Sequence, residues 1–114
     1  MKNKLLRLIE IIQDDFPEVI LSSFKGKKPL SLDEGIALIS VVRDFHQNRA
    51  DTLWFEADKM RSPEEKRATA QAELARFIIA YLTGEAKEYT TSATEALITL
   101  GRQGDLDAIN NLTR

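Results

Sequence analysis

The chemistry available to this chain rests on few groups. Its 114 residues hold one histidine and no cysteine, so thiolate nucleophiles, thiolate metal sites and disulfides are absent. A lone imidazole works as a general base only when a substrate and an orienting group meet it. His46 lacks a local orienting carboxylate: Asp44 is two positions away and points elsewhere on a helix. It falls instead near the centre of an apolar helical face, where a histidine satisfies a hydrogen bond inside the protein.

The carboxylates read similarly. Glu56 and Asp58 diverge on a helix, whereas paired acid chemistry needs convergence. Glu64, Glu65 and Glu73 are accounted for by helix starts and solvation. Ser22, Ser23, Ser31, Ser40, Ser62 and Ser92 supply hydroxyls without a strained elbow to activate one. There is no HExxH, no phosphate-binding Walker loop and no dinucleotide GxGxxG pattern. The expectation is a chain with no catalytic residue, no metal site and no cofactor.

The elements that position these groups are helical. Leu5, Leu8, Ile9, Ile12 and Phe16 share one face of a first amphipathic helix. Pro17 to Phe24 reads as a short helix, with a brief extended segment at Val19, Ile20 and Leu21 as the alternative, and GKKP at 26–29 as a loop. SLDE, Ser31 to Glu34, has the spacing of a reciprocal capping box. It opens a long helix, Leu32 to Met60, with Ile36, Ile39, Val42, His46, Ala50, Leu53, Ala57 and Met60 on one side. Unbroken, that helix would span about 40 Å, so the pattern predicts a kink at Asn48–Thr52 or a partner chain. SPEE, Ser62 to Glu65, starts another helix that buries Leu74, Phe77, Ile78, Tyr81 and Leu82 and stops at Thr83 and Gly84. Ala93, Ala96, Leu97 and Leu100 mark a further helix, and Asp105 is placed to cap a last one bearing Leu106, Ile109 and Leu112. The fold class is all-α: one domain over residues 1–114, a small helical bundle or irregular helical domain with a long central helix. No repeat with a fixed period supports a solenoid.

Sixteen basic against eighteen acidic residues leave a formal charge of −2, too balanced for a broad phosphate-binding surface. A DNA-binding regulator remains the alternative, with Arg102, Gln103, Asn110, Asn111 and Arg114 as candidate contacts. Asp105 and Asp107 in the leading turn oppose it electrostatically. Acidic residues interrupt the N-terminal apolar run and no run matches a membrane span, so a soluble cytoplasmic protein is expected.

Protein binding is the preferred function, as a small adaptor or inhibitor, and the long helix points to a homodimer. The site is expected around Trp54 and Phe55, whose side chains diverge by about 100°. Trp54 should anchor the core. Phe55 shares its face with Asp44, Asn48, Asp51 and Asp58 and should meet a partner, with Arg49 and Glu56 at the rim.

Overall fold

The structure is a computed structural model, and it describes residues 2–13, 31–56 and 62–113. Among these residues the helices are α1 (Lys2–Gln13), α2 (Leu32–Glu56), α3 (Pro63–Thr83), α4 (Thr90–Thr99) and α5 (Leu106–Leu112), with 3₁₀ turns at Ala86–Tyr89 and Gln103–Asp105. The short helix expected at Pro17–Phe24 and the GKKP loop lie outside the described residues. So does the stretch from Ala57 that would have carried the long helix to Met60.

Local sequence sets the helix ends. Ser31 and Glu34 form the reciprocal box: the Glu34 backbone N–H donates to Ser31 Oγ at 3.2 Å, and the Ser31 N–H donates to Glu34 Oε1 at 3.1 Å. Hydrogen bonds from Ser31, its backbone N–H first and its side chain second, hold the exposed Glu34 carboxyl below its ordinary range. Ser62 accepts from the Glu65 N–H at 3.1 Å, with Pro63 opening α3 where its missing N–H costs nothing. At the other end Gly84 adopts φ +83°, and its N–H returns to the last-turn carbonyls of α3. α2 is continuous in its helical hydrogen bonding through Asn48–Thr52, the stretch where the pattern placed a kink. Each residue there keeps its helical hydrogen bonding, and the helix reaches about 37 Å in a molecule measuring 45 × 26 × 22 Å.

Six residues separate α2 from α3. Fully extended they reach about 20 Å, too little to recross α2, so two helices packed along their length run antiparallel. α3 also packs against α1, α4 and the first 3₁₀ turn. Its composition explains this reach. Ala68, Ala70, Ala72, Ala75 and Ala80 are buried around its circumference, between the larger Leu74, Phe77 and Ile78. Small side chains let neighbouring backbones approach on several sides, as a helix enclosed by its neighbours requires. Leu8, Ile9 and Ile12 of α1, Ile39 and Val42 of α2, Leu97 of α4 and Ile109 of α5 complete one core.

α5 is tied back to α1 by charge. Arg7 bonds both carboxylate oxygens of Asp105, Nε at 3.1 Å and Nη2 at 3.5 Å, and Lys4 Nζ meets Asp107 Oδ2 at 2.6 Å. Asp105 therefore does not cap α5 with its side chain, contrary to the sequence expectation. A cation from another helix outcompetes the local N–H groups for that carboxylate. The Lys4 hydrogen bond, then its charge, holds the Asp107 carboxyl below the usual range, and the Asp105 hydrogen bond raises Arg7 further.

Two outcomes follow for stability. Ser62→Ala should cost about 1 kcal/mol through the lost cap. Gly84→Ala should cost roughly 1–2 kcal/mol from backbone strain alone, since nothing lies within 4 Å of the added methyl; urea denaturation measures both. The depressed folded-state values of Asp107 and Glu34 mean that their contribution is present above about pH 4 and is lost as the pH falls through those lower values. A melting series from pH 7 to pH 3 should show this loss. Asp107→Asn should reduce the pH dependence, and added salt should reduce the Lys4–Asp107 part more than the Ser31–Glu34 cap part.

Candidate protein-binding surface

The inward face of α2 is built around His46. Its side chain is 0% exposed, between Ile39, Val42 and Ala50 in the same inward sector. The ring Nε2 bonds the backbone carbonyl of Ile12. A carbonyl oxygen only accepts, so Nε2 carries the proton in this bond. From α3, Gln71 Nε2 donates to the adjacent carbonyl of Ile11 at 3.4 Å. Both acceptors belong to the last described turn of α1. His46 thus joins α2 to the last described turn of α1 from a fully buried position. The sequence assigned it a structural hydrogen bond and left the acceptor unidentified.

The outer face of the same helix is apolar where solvent is expected. Val41 is 55% exposed, Phe45 40% and Phe55 79%, three of the five large exposed hydrophobics among the described residues. With Asn48 and Thr52, both exposed, they follow alternating steps of four and three residues: Val41, Phe45, Asn48, Thr52, Phe55. That spacing keeps them in one stripe along the helix, directly opposite the sector containing Ile39, His46 and Ala50. The Phe45 ring also stands edge-on to His46, with centroids 5.3 Å apart.

One flank of the stripe is held by a polar chain. Glu73 accepts from Arg76 Nη1 at 3.1 Å, Arg76 Nη2 donates to Gln47 Oε1 at 2.7 Å, and Gln47 Nε2 donates to Asp51 Oδ1 at 3.0 Å. Asp44, on the same flank, accepts from Arg43 Nε at 3.0 Å. Arg76 thereby joins α3 to α2. The flank presents exposed Asp44 and Asp51 in positions set by the fold. Arg49, half-buried, occupies the opposite flank.

The sequence-predicted residues divide accordingly. Phe55 lies on the outside of α2 as expected. Trp54, expected to anchor the core from the edge of the apolar sector, is half-buried at that edge. Arg49 shares no face with Phe55, and Glu56 closes α2. Val41 and Phe45 were missed. Their signal was present, since Phe55 follows Val41 by two heptads, but the sequence reading placed neither Val41 nor Phe45 on a face.

Other surfaces offer less. A groove of about 330 Å³ between α3 and α4 is lined by Lys66, Thr69, Glu73, Ser92, Glu95 and Thr99 over Ala70 and Ala96. It contains hydroxyls and carboxylates but no imidazole. Among the described residues no three His, Cys, Asp or Glu side chains converge as a metal site, and no helix is long and apolar enough to cross a membrane. At the C-terminus, α5 turns Ala108, Ile109 and Leu112 into the core, while Asn111 Nδ2 bonds the Asp107 carbonyl at 2.7 Å. Arg114 lies outside the described residues. No family model, curated protein or solved structure matches this chain.

The two side chains that bond α1 should respond differently to substitution. His46→Ala should cost about 2–4 kcal/mol by combining a cavity with an unpaired buried carbonyl. His46→Gln should retain more stability because its amide can donate. Gln71 Oε1 is buried with no hydrogen-bond partner among the described residues, so Gln71→Leu loses a long hydrogen bond but also removes a desolvated acceptor. The net change should stay within about 1 kcal/mol. Chemical denaturation of the three variants ranks these effects.

Proposed function

We propose that this protein is a non-enzymatic protein-binding module, a small adaptor or inhibitor acting through the outer face of α2, and that the same face supports homodimerisation. The observation supporting this reading is the stripe of Val41, Phe45 and Phe55 on the side of α2 opposite its packed face. Exposed aromatic area of this extent is unfavourable in water and is recovered when another surface covers it. Aromatic rings also supply contact area with few rotatable bonds, so ordering them on binding costs little. The polar chain through Gln47 positions charge beside the stripe, which favours selection among partners. Partner proteins remain cytoplasmic candidates under this reading.

Phe55→Ser tests it. The substitution should weaken capture of partner protein by tenfold or more, about 1.4 kcal/mol, while leaving the melting transition nearly unchanged because the ring contributes little to the core. Trp54→Ser should instead lower stability by roughly 1–2 kcal/mol, as expected for a half-buried aromatic. Binding and denaturation must be measured together. Intact binding by folded Phe55→Ser protein would defeat this assignment of the surface.

A further inference from the structure

We infer that the groove between α2, the last turns of α3 and the first 3₁₀ turn binds a small zwitterionic amino acid, with its carboxylate on Arg43 and its ammonium on Glu85. This site is independent of the protein-binding reading. Arg43 lines it from α2, Arg76 and Thr83 from α3, and Glu85 and Tyr89 from the segment beyond Gly84, over a floor of Ile79 and Ala80. The groove holds about 220 Å³. That is below the roughly 300–1,000 Å³ of pockets that take drug-sized molecules, and it suits a ligand of amino-acid size. Ile79 and Tyr89 pack against the core, and the Glu85 N–H donates to the Ala80 carbonyl at 2.7 Å. The apolar floor and the backbone beneath Glu85 are therefore fixed by the fold.

The polar groups around this floor are held in place but not used up. Arg43 Nε donates to Asp44 Oδ1 at 3.0 Å, and among the described residues its Nη1 and Nη2 have no hydrogen bond. Arg76 is fixed by Glu73 and Gln47. Thr83 Oγ1 donates to the Ala80 carbonyl at 3.1 Å, which leaves its lone pairs to accept. Among the described residues, neither the Glu85 carboxylate nor the Tyr89 hydroxyl has a hydrogen bond or ion pair. Arg43 and Glu85 thus line one groove with opposite charges and do not pair with each other.

Charge decides the ligand class. Asp44 and Glu73 balance the two guanidinium groups, and Glu85 makes the surroundings net negative, so a plain anion gains nothing from the local field. A plain cation is opposed by Arg43 and Arg76. A zwitterion satisfies both ends: its carboxylate meets the Nη1 and Nη2 fork of Arg43, and its ammonium donates to Glu85 and to Thr83 Oγ1. Tyr89 can donate its hydroxyl to the same carboxylate, while a short aliphatic side chain lies on Ile79 and Ala80. Because the fold already holds Arg43, Arg76 and Tyr89, little side-chain ordering opposes binding.

Calorimetric titration of the whole protein with L-leucine and L-alanine tests this. The expected result is one saturable site, with a Kd on the order of 1 mM for L-leucine. Leucinamide, which lacks the carboxylate, and isocaproate, which lacks the ammonium, should each bind at least about tenfold more weakly. Arg43→Gln should bind L-leucine and leucinamide alike, and Glu85→Gln should bind L-leucine and isocaproate alike. Neither residue belongs to the core, so both variants should melt with the parent protein, and a melting curve checks that each is folded. No saturable binding of either amino acid, equal affinity for L-leucine, leucinamide and isocaproate, or full L-leucine affinity in both folded variants would overturn the inference.

Discussion

The last described turn of α1 is buried in the protein, with Ile11, Ile12 and Gln13 almost wholly shielded from water. An unpaired carbonyl in that setting would carry its full desolvation cost. His46 from α2 and Gln71 from α3 reach the successive carbonyls of Ile12 and Ile11. The two contacts fix three helices at one point, because each donor is directed and has a short reach. Apolar packing around it, from Leu8, Ile9, Ile39, Leu74 and Phe77, is less directional. The hydrogen bonds therefore select one arrangement among those that hydrophobic burial would tolerate.

The alanines of α3 provide the room for this arrangement. A helix with large residues around its circumference would hold its neighbours farther apart, and Gln71 would not meet the end of α1. With Ala70, Ala72 and Ala75 near that level, α1, α2 and α4 can close around α3. The consequence for α2 is asymmetric. Its inward sector is enclosed by the bundle, while Val41, Phe45 and Phe55 face outward with much of their surface in solvent. Packed and exposed apolar residues thus lie on opposite sides of one helix, joined locally by the edge contact between Phe45 and His46.

Electrostatics enters at the periphery. Arg7 and Lys4 hold α5 through Asp105 and Asp107, and the chain from Glu73 through Arg76 and Gln47 to Asp51 couples α3 to the flank of α2. Most of these pairs are partly exposed and individually contribute little to stability. Their larger effect is orientation, since each bond sets where a charge stands beside a helix face.

Much of this architecture was legible in the sequence because helix ends and faces are local properties. Ser31 with Glu34, Ser62 with Pro63, and Gly84 marked boundaries through groups only a few residues apart. Helical periodicity placed His46 inward and Phe55 outward without reference to any other element. It also carried the four-and-three spacing that places Val41 and Phe45 with Phe55, although the sequence reading assigned those two to no face. The tertiary structure alone decided the contacts between helices: His46 with Ile12, Gln71 with Ile11, and Asp105 with Arg7 in place of a local cap. Periodicity describes a side chain's direction about its own axis. It does not specify which distant backbone or charge that direction will meet, because this depends on the crossing and separation of helices set by the summed packing of the core.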